Sequence, residues 1–170
     1  MRLVFGMYGV TLFTTMCAIG QQTPDLSGVW QMDASRSESA HQAAPIGPVT
    51  LIIERNAGAL TIETRKGNDR KAGEKLTYKL DGSESSTAND SGEQIKAKAH
   101  WDGPNLVTET ARNIQGSTVT TMSIYSLDPG GNELTVDKSL TVQHGYQFEG
   151  AANTGKAKDI FIRSKRNTKK

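Results

Sequence analysis

His41, His100 and His144 are the side chains in this 170-residue sequence best suited to holding a metal or passing a proton. On a strand, two histidines reach one ion only when they alternate on one face, and these three lie in separate segments with no such spacing. They read as surface histidines, and no metal site is expected. Asp102 follows Trp101, the pairing of an acid with an aromatic that suits sugar cleavage, yet no second carboxylate is placed at a working separation. Asp102-Gly103 therefore reads as a turn. No serine stands in Gly-x-Ser-x-Gly or Ser-x-x-Lys, so Ser139 and Ser164 read as sheet or tail residues. Gly130-Gly131 precedes no helix that could offer its N-terminus to a phosphate. Asn89-Asp90-Ser91 fits the glycosylation pattern, which has meaning only in a eukaryotic secretory pathway. These residues supply no nucleophile, acid or base in a defined role, and the expectation is a protein that is not an enzyme and uses no cofactor.

A second kind of chemistry needs no reactive group, only a wall of apolar side chains. Trp30, Met32, Ile53, Ile62, Tyr78, Trp101, Met122, Ile124 and Tyr125 are the larger apolar side chains on predicted strands, and they cannot all face one interior. From this set Trp30, Met32, Tyr78, Trp101, Met122 and Tyr125 are the expected ligand-binding residues. Ala97, Ala99, Thr108, Thr121 and Ser123 are small or hydroxylated, which leaves room for a cavity or for water.

The elements that position these side chains alternate with period two. In Leu26 to Asp33 the even positions are Leu26, Gly28, Trp30 and Met32, opposite Ser27, Gln31 and Asp33. Ala34 to Pro48 carries no period and reads as a long loop over the open end. Val49 to Arg55 and Ala59 to Arg65 are strands joined by the hairpin loop Asn56-Ala57-Gly58. Further strands are predicted over Glu74 to Leu80, Gln94 to Trp101, Leu106 to Arg112, Thr118 to Leu127, Glu133 to Val142 and Asp159 to Lys165. Ser83 to Gly92 is either loop or a short edge strand near Glu84 to Thr87. About eight to ten antiparallel strands with regular turns fit a sandwich or an up-and-down barrel. Hairpin connections favour the barrel, because closing a meander removes exposed edges.

The length sets one domain, predicted over 26–165. Ahead of it, Arg2 and the apolar run Leu3 to Ile19 end in Ala18-Ile19-Gly20, so 1–20 reads as an export signal cleaved before Gln21, with 21–25 as a linker. Lipoprotein processing at Cys17 is the rival, disfavoured by Met16 where a small residue belongs. An exported protein, periplasmic or extracellular, is expected. The only cysteine lies in that leader, so the mature chain must hold together by its core alone. A formal net charge of +2 with interspersed signs does not suit nucleic acid. The basic tail 166–170 reads as solvated and not as a membrane contact, and a monomer is expected.

The run Leu26-Ser27-Gly28-Val29-Trp30-Gln31-Met32-Asp33, followed by Ser35 and Ser37, resembles the mature N-terminus of small secreted bacterial lipocalin-like proteins. Ala99-His100-Trp101-Asp102-Gly103 leading into Leu106-Val107, and Gly131-Asn132-Glu133-Leu134-Thr135-Val136, fit the same pattern in the same order. The resemblance implies an all-β, antiparallel, up-and-down lipocalin-like barrel. It also implies that Trp30 packs near the closed end under a basic side chain of the last strand, with Gly28, Trp30 and Arg163 forming the barrel floor. Alternation leaves open whether Phe161 and Arg163 or Ile160 and Ile162 face inward. The chain departs from lipocalins proper in lacking their cysteines and the helix that follows their barrel. The function implied is non-enzymatic binding of a small, apolar ligand. The alternative is an envelope structural or interaction protein whose barrel is filled.

Overall fold

The chain was analysed as a computed structural model, which describes residues 23–67, 73–88, 92–144 and 153–164. The predicted leader with Cys17, the tail 166–170 and the Asn89-Asp90-Ser91 pattern lie outside these residues. The strands are β1 (Gly28–Met32), β2 (Val49–Arg55), β3 (Ala59–Lys66), β4 (Glu74–Lys79), β5 (Ser85–Ala88), β6 (Gln94–Asp102), β7 (Asn105–Ile114), β8 (Ser117–Leu127), β9 (Glu133–Gln143) and β10 (Asn153–Arg163). They form one antiparallel 10-stranded sheet in the order β4-β3-β2-β1-β10-β9-β8-β7-β6-β5. The first and last strands of the chain pair with each other, Trp30 against Arg163 and Met32 against Phe161, and this joins the two halves of the meander into a barrel. Among the described residues no helix is long and apolar enough to cross a membrane.

The circle lacks one ladder. β4 and β5 are the two ends of the sheet order, so they face each other without pairing. Side chains span the seam instead: Ser85 Oγ donates to the Thr77 carbonyl at 2.6 Å and Lys79 Nζ to the Glu84 carbonyl at 3.4 Å.

Alternation explains which side chains fill the interior. Trp30, Leu51, Ile53, Leu60, Ile62, Leu76, Tyr78, Ala97, Ala99, Leu106, Tyr125, Leu134, Val136 and Phe161 are buried, while their chain neighbours on most strands point to solvent. Burying each large side chain contributes about 1.5–3 kcal/mol. On β10 the inward choice falls on Phe161, fully buried, and with it Arg163; Ile162 stands outside at 39 % exposure.

Three elements differ from the sequence reading. β10 begins at Asn153, ahead of the predicted Asp159, because Asn153 to Lys158 pair with Val142 to Asp137 although Thr, Gly, Lys and Ala give no hydrophobic alternation. A short 3-10 turn, Glu38–His41, interrupts the predicted loop. Met122, expected on the ligand wall, lies on the outer face at 41 % exposure. Period two permits only one of Met122 and Tyr125 inside, and the pleat gives the interior to Thr121, Ser123 and Tyr125.

Candidate ligand-binding cavity

The barrel is filled at one end and hollow at the other. At the filled end Trp30 is fully buried, with its indole N–H donating to the Leu26 carbonyl at 2.9 Å. The Arg163 guanidinium lies 4.2 Å from the Trp30 ring centroid, donating to the carbonyls of Gly131 and Ser27, each at 2.6 Å. Gly28 makes room for it: a Cβ there would stand 2.8 Å from the Arg163 guanidinium, and its φ of +149° suits glycine alone. Gly28, Trp30 and Arg163 are thus one packed cluster. Trp101 is half-buried, with the Arg55 guanidinium 5.6 Å from its ring centroid and its indole N–H buried without a partner.

The hollow end is a cavity of about 420 Å³, within the roughly 300–1,000 Å³ usual for small-molecule sites. Val49, Leu51, Leu76 and Leu140 give it apolar walls, and Tyr78, Thr108, Ser123 and Tyr125 give it hydroxyls. Both tyrosines hydrogen-bond Thr108, and Tyr125 also Ser123. Burial pushes both phenols up from their ordinary value, so they stay neutral. Toward the mouth, Arg112 of β7 donates to both carboxylate oxygens of Glu74 on β4, at 2.8 and 2.9 Å. This bidentate pair links the two sides of the β4–β5 seam from within.

The 34–48 loop roofs this end: Ser39, Gln42 and Ile46 line the cavity. Its attachment uses the stretch of β10 beyond the reach of short β1. Asp33 N–H donates to the Ile160 carbonyl at 2.8 Å, Ser37 Oγ accepts from the Ile160 amide at 3.0 Å, and Glu38 accepts from the Lys158 amide at 2.8 Å. Side chains here replace a missing strand. Ser39 then donates its N–H and hydroxyl to the fully buried Asp159 carboxylate, at 3.0 and 2.8 Å, and Lys138 donates to the same group at 2.8 Å. Burial pushes the Asp159 carboxyl up, but the Lys138 ammonium and the Ser39 bonds outweigh it and hold the group below its ordinary value.

Of the six expected ligand-binding residues, Tyr78 and Tyr125 line the cavity. Trp30 and Trp101 belong to the filled end, Met32 packs partly buried against the core near Gly47 under the roof, and Met122 is outside. Thr108, Thr121 and Ser123, the small interior positions, do line the space. Arg112, Glu74 and Lys138 were not singled out, because a charged residue at an inward position breaks the apolar pattern and looks like a surface residue. The signal was there in register: Arg112 continues the series Leu106, Thr108, Thr110. His41 and His100 are exposed, Asp102 ends β6 just before the Gly103-Pro104 turn, and His144 Nδ1 stands 3.2 Å from Ser117 Oγ on the surface. Among the described residues no group of three or more His, Cys, Asp or Glu side chains is placed to hold a metal.

No family model and no curated protein matches the sequence. Solved structures do match in fold. A secretory abundant heat soluble protein from Ramazzottius varieornatus aligns over 85 % of this chain and 98 % of its own, at 18 % identity and a TM-score of 0.57. Lipid binding protein 8 from Caenorhabditis elegans aligns over 81 % and 94 %, at 11 % identity and a TM-score of 0.52. Human cRBP IV aligns over 83 % and 99 %, at 18 % identity and a TM-score of 0.51. At these identities the likeness concerns the fold, and the fold is an antiparallel β-barrel of lipocalin-like kind.

Proposed function

We propose that this protein is a non-enzymatic carrier that holds one small, largely apolar molecule in the mouth half of its barrel, beneath the 34–48 loop. The observation that carries the reading is the space of about 420 Å³ with aliphatic walls, hydroxyls along one side and a roof fixed to β10. A barrel packed solid to both ends would suit a scaffold; this one is filled around Trp30 and Phe161 and leaves a space between Tyr78, Tyr125 and the 34–48 loop. One structure of similar fold is that of a lipid binding protein, which supports the same reading. Site residues are Tyr78 and Tyr125 with Thr108, Ser123 and Leu51. The apolar run Leu3 to Ile19 ending in Ala18-Ile19-Gly20 supports export and action outside the cytoplasm.

Native mass spectrometry of the protein isolated from its own host is expected to show a reproducible small-molecule adduct. Titration with a neutral solvatochromic dye is expected to saturate at one site, and Thr121→Trp, which fills the cavity, to weaken that binding at least tenfold. A bare mass together with non-saturable dye binding would reject the carrier and favour an interaction protein.

A further inference from the structure

We infer that the cavity selects a ligand ending in a neutral hydroxyl, such as a medium- or long-chain alcohol, over the carboxylate of the same chain, and that Glu74 sets this choice. The inference rests on the carrier reading. Tyr78, Thr108, Ser123 and Tyr125 bring four hydroxyl protons and about eight lone pairs into one buried cluster. The three bonds among them, Tyr78 with Thr108 and Tyr125 with Thr108 and Ser123, consume three protons and three lone pairs, so one donor is left against about five acceptors. An alcohol brings a proton to that excess of acceptors and can still accept from the one remaining donor. A carboxylate brings only lone pairs, and it must give up its water to enter.

Charge compensation is also already spent. The guanidinium at the cavity wall, Arg112, has two of its donors on Glu74. The ammonium of Lys138 is held by Asp159. Lys66 and Lys156 also line the space, but both are exposed at the rim, where water screens them. An incoming acid must therefore displace one of the chain's own carboxylates. Glu74 is the easier to remove by mutation, because Asp159 also secures the roof.

The test compares decan-1-ol with decanoate, each displacing the same neutral dye at neutral pH. In the native protein decanol is expected to bind at least tenfold tighter. Glu74→Gln releases Arg112 and is expected to shift the ratio at least tenfold toward decanoate; in Glu74→Met/Arg112→Met, which has no guanidinium to release, that shift disappears. Decanoate binding as tightly as decanol to the native protein overturns the inference, as does a folded Glu74→Gln variant with the native ratio. Should Glu74→Gln fail to fold, the native ratio and the double variant decide. If neither compound displaces the dye, the carrier reading fails and the inference with it; binding in the wrong ratio removes the inference alone.

Discussion

The Arg163 guanidinium touches the Trp30 ring, the Ser27 carbonyl and the Gly131 carbonyl at once, so one side chain ties the first strand, the last strand and the β8–β9 turn together. Arg163→Met keeps the stem and removes the fork. It is expected to lower the unfolding free energy by about 2 kcal/mol in urea titration, the sum of a cation–π contact and two carbonyl bonds. Gly28→Ala forces a Cβ against the same guanidinium at a φ that L-residues avoid, and a loss of about 1–3 kcal/mol is expected by the same measurement. A stability equal to native in either variant would show that the cluster bears no load. Trp30 and Gly28 stood out in the sequence because rare residue types at fixed spacing survive any ambiguity of register. The sense of β10 did not: Ile160 and Ile162 are as apolar as Phe161, and only the pairing of Trp30 with Arg163 decides which set faces in. Glu74 and Arg112 were illegible for a related reason, since their inward placement depends on partners from β4 and β7 that meet only in three dimensions.

At the scale of elements, the 34–48 loop is bound to β10 through Ser37, Glu38 and Ser39 rather than through a backbone ladder. The sequence showed a long loop but not its anchorage, because serines within a polar segment carry no periodic signal. Ser37 is fully buried and its hydroxyl both donates to and accepts from Ile160, so Ser37→Ala leaves that amide unsatisfied. We expect a loss of about 1–3 kcal/mol and faster limited proteolysis within 40–47; cleavage at the native rate would argue against the anchor. Asp159→Ala removes the acceptor for both Ser39 and Lys138 and is expected to cost roughly 3 kcal/mol, read by denaturant titration, because a buried ion pair loses one partner.

For the molecule as a whole, the all-β order and most strands were legible from alternation and turn residues, and closure into a barrel from the hairpin order and the resemblance; the register of β1 on β10 and the unpaired seam between β4 and β5 were not, because no local signal carries them. Acid response is likewise a property of the whole. Asp33 is held low by Ser35 and Arg36, Glu63 by Arg65, Asp128 by the amides of Glu133, Asn132 and Gly130, and Asp159 by Lys138 and Ser39 against its burial. With folded values below unfolded ones, the native state binds fewer protons than the unfolded chain in between. Stability from these groups is therefore complete above about pH 4–4.5 and declines as pH falls through the folded values. Denaturation midpoints measured from pH 7 to pH 2 should fall steeply only below about 4, and Asp159→Asn should shallow that fall. The seam between β4 and β5 has a further consequence. Where every other junction in the circle is stitched by amides, this one is buttoned by Ser85, Lys79 and the Glu74–Arg112 bar, so girth can change there without breaking a ladder. The barrel is a cuff with a clasp, and in the proposed carrier the size of the ligand is set less by the resting volume than by how far the clasp yields.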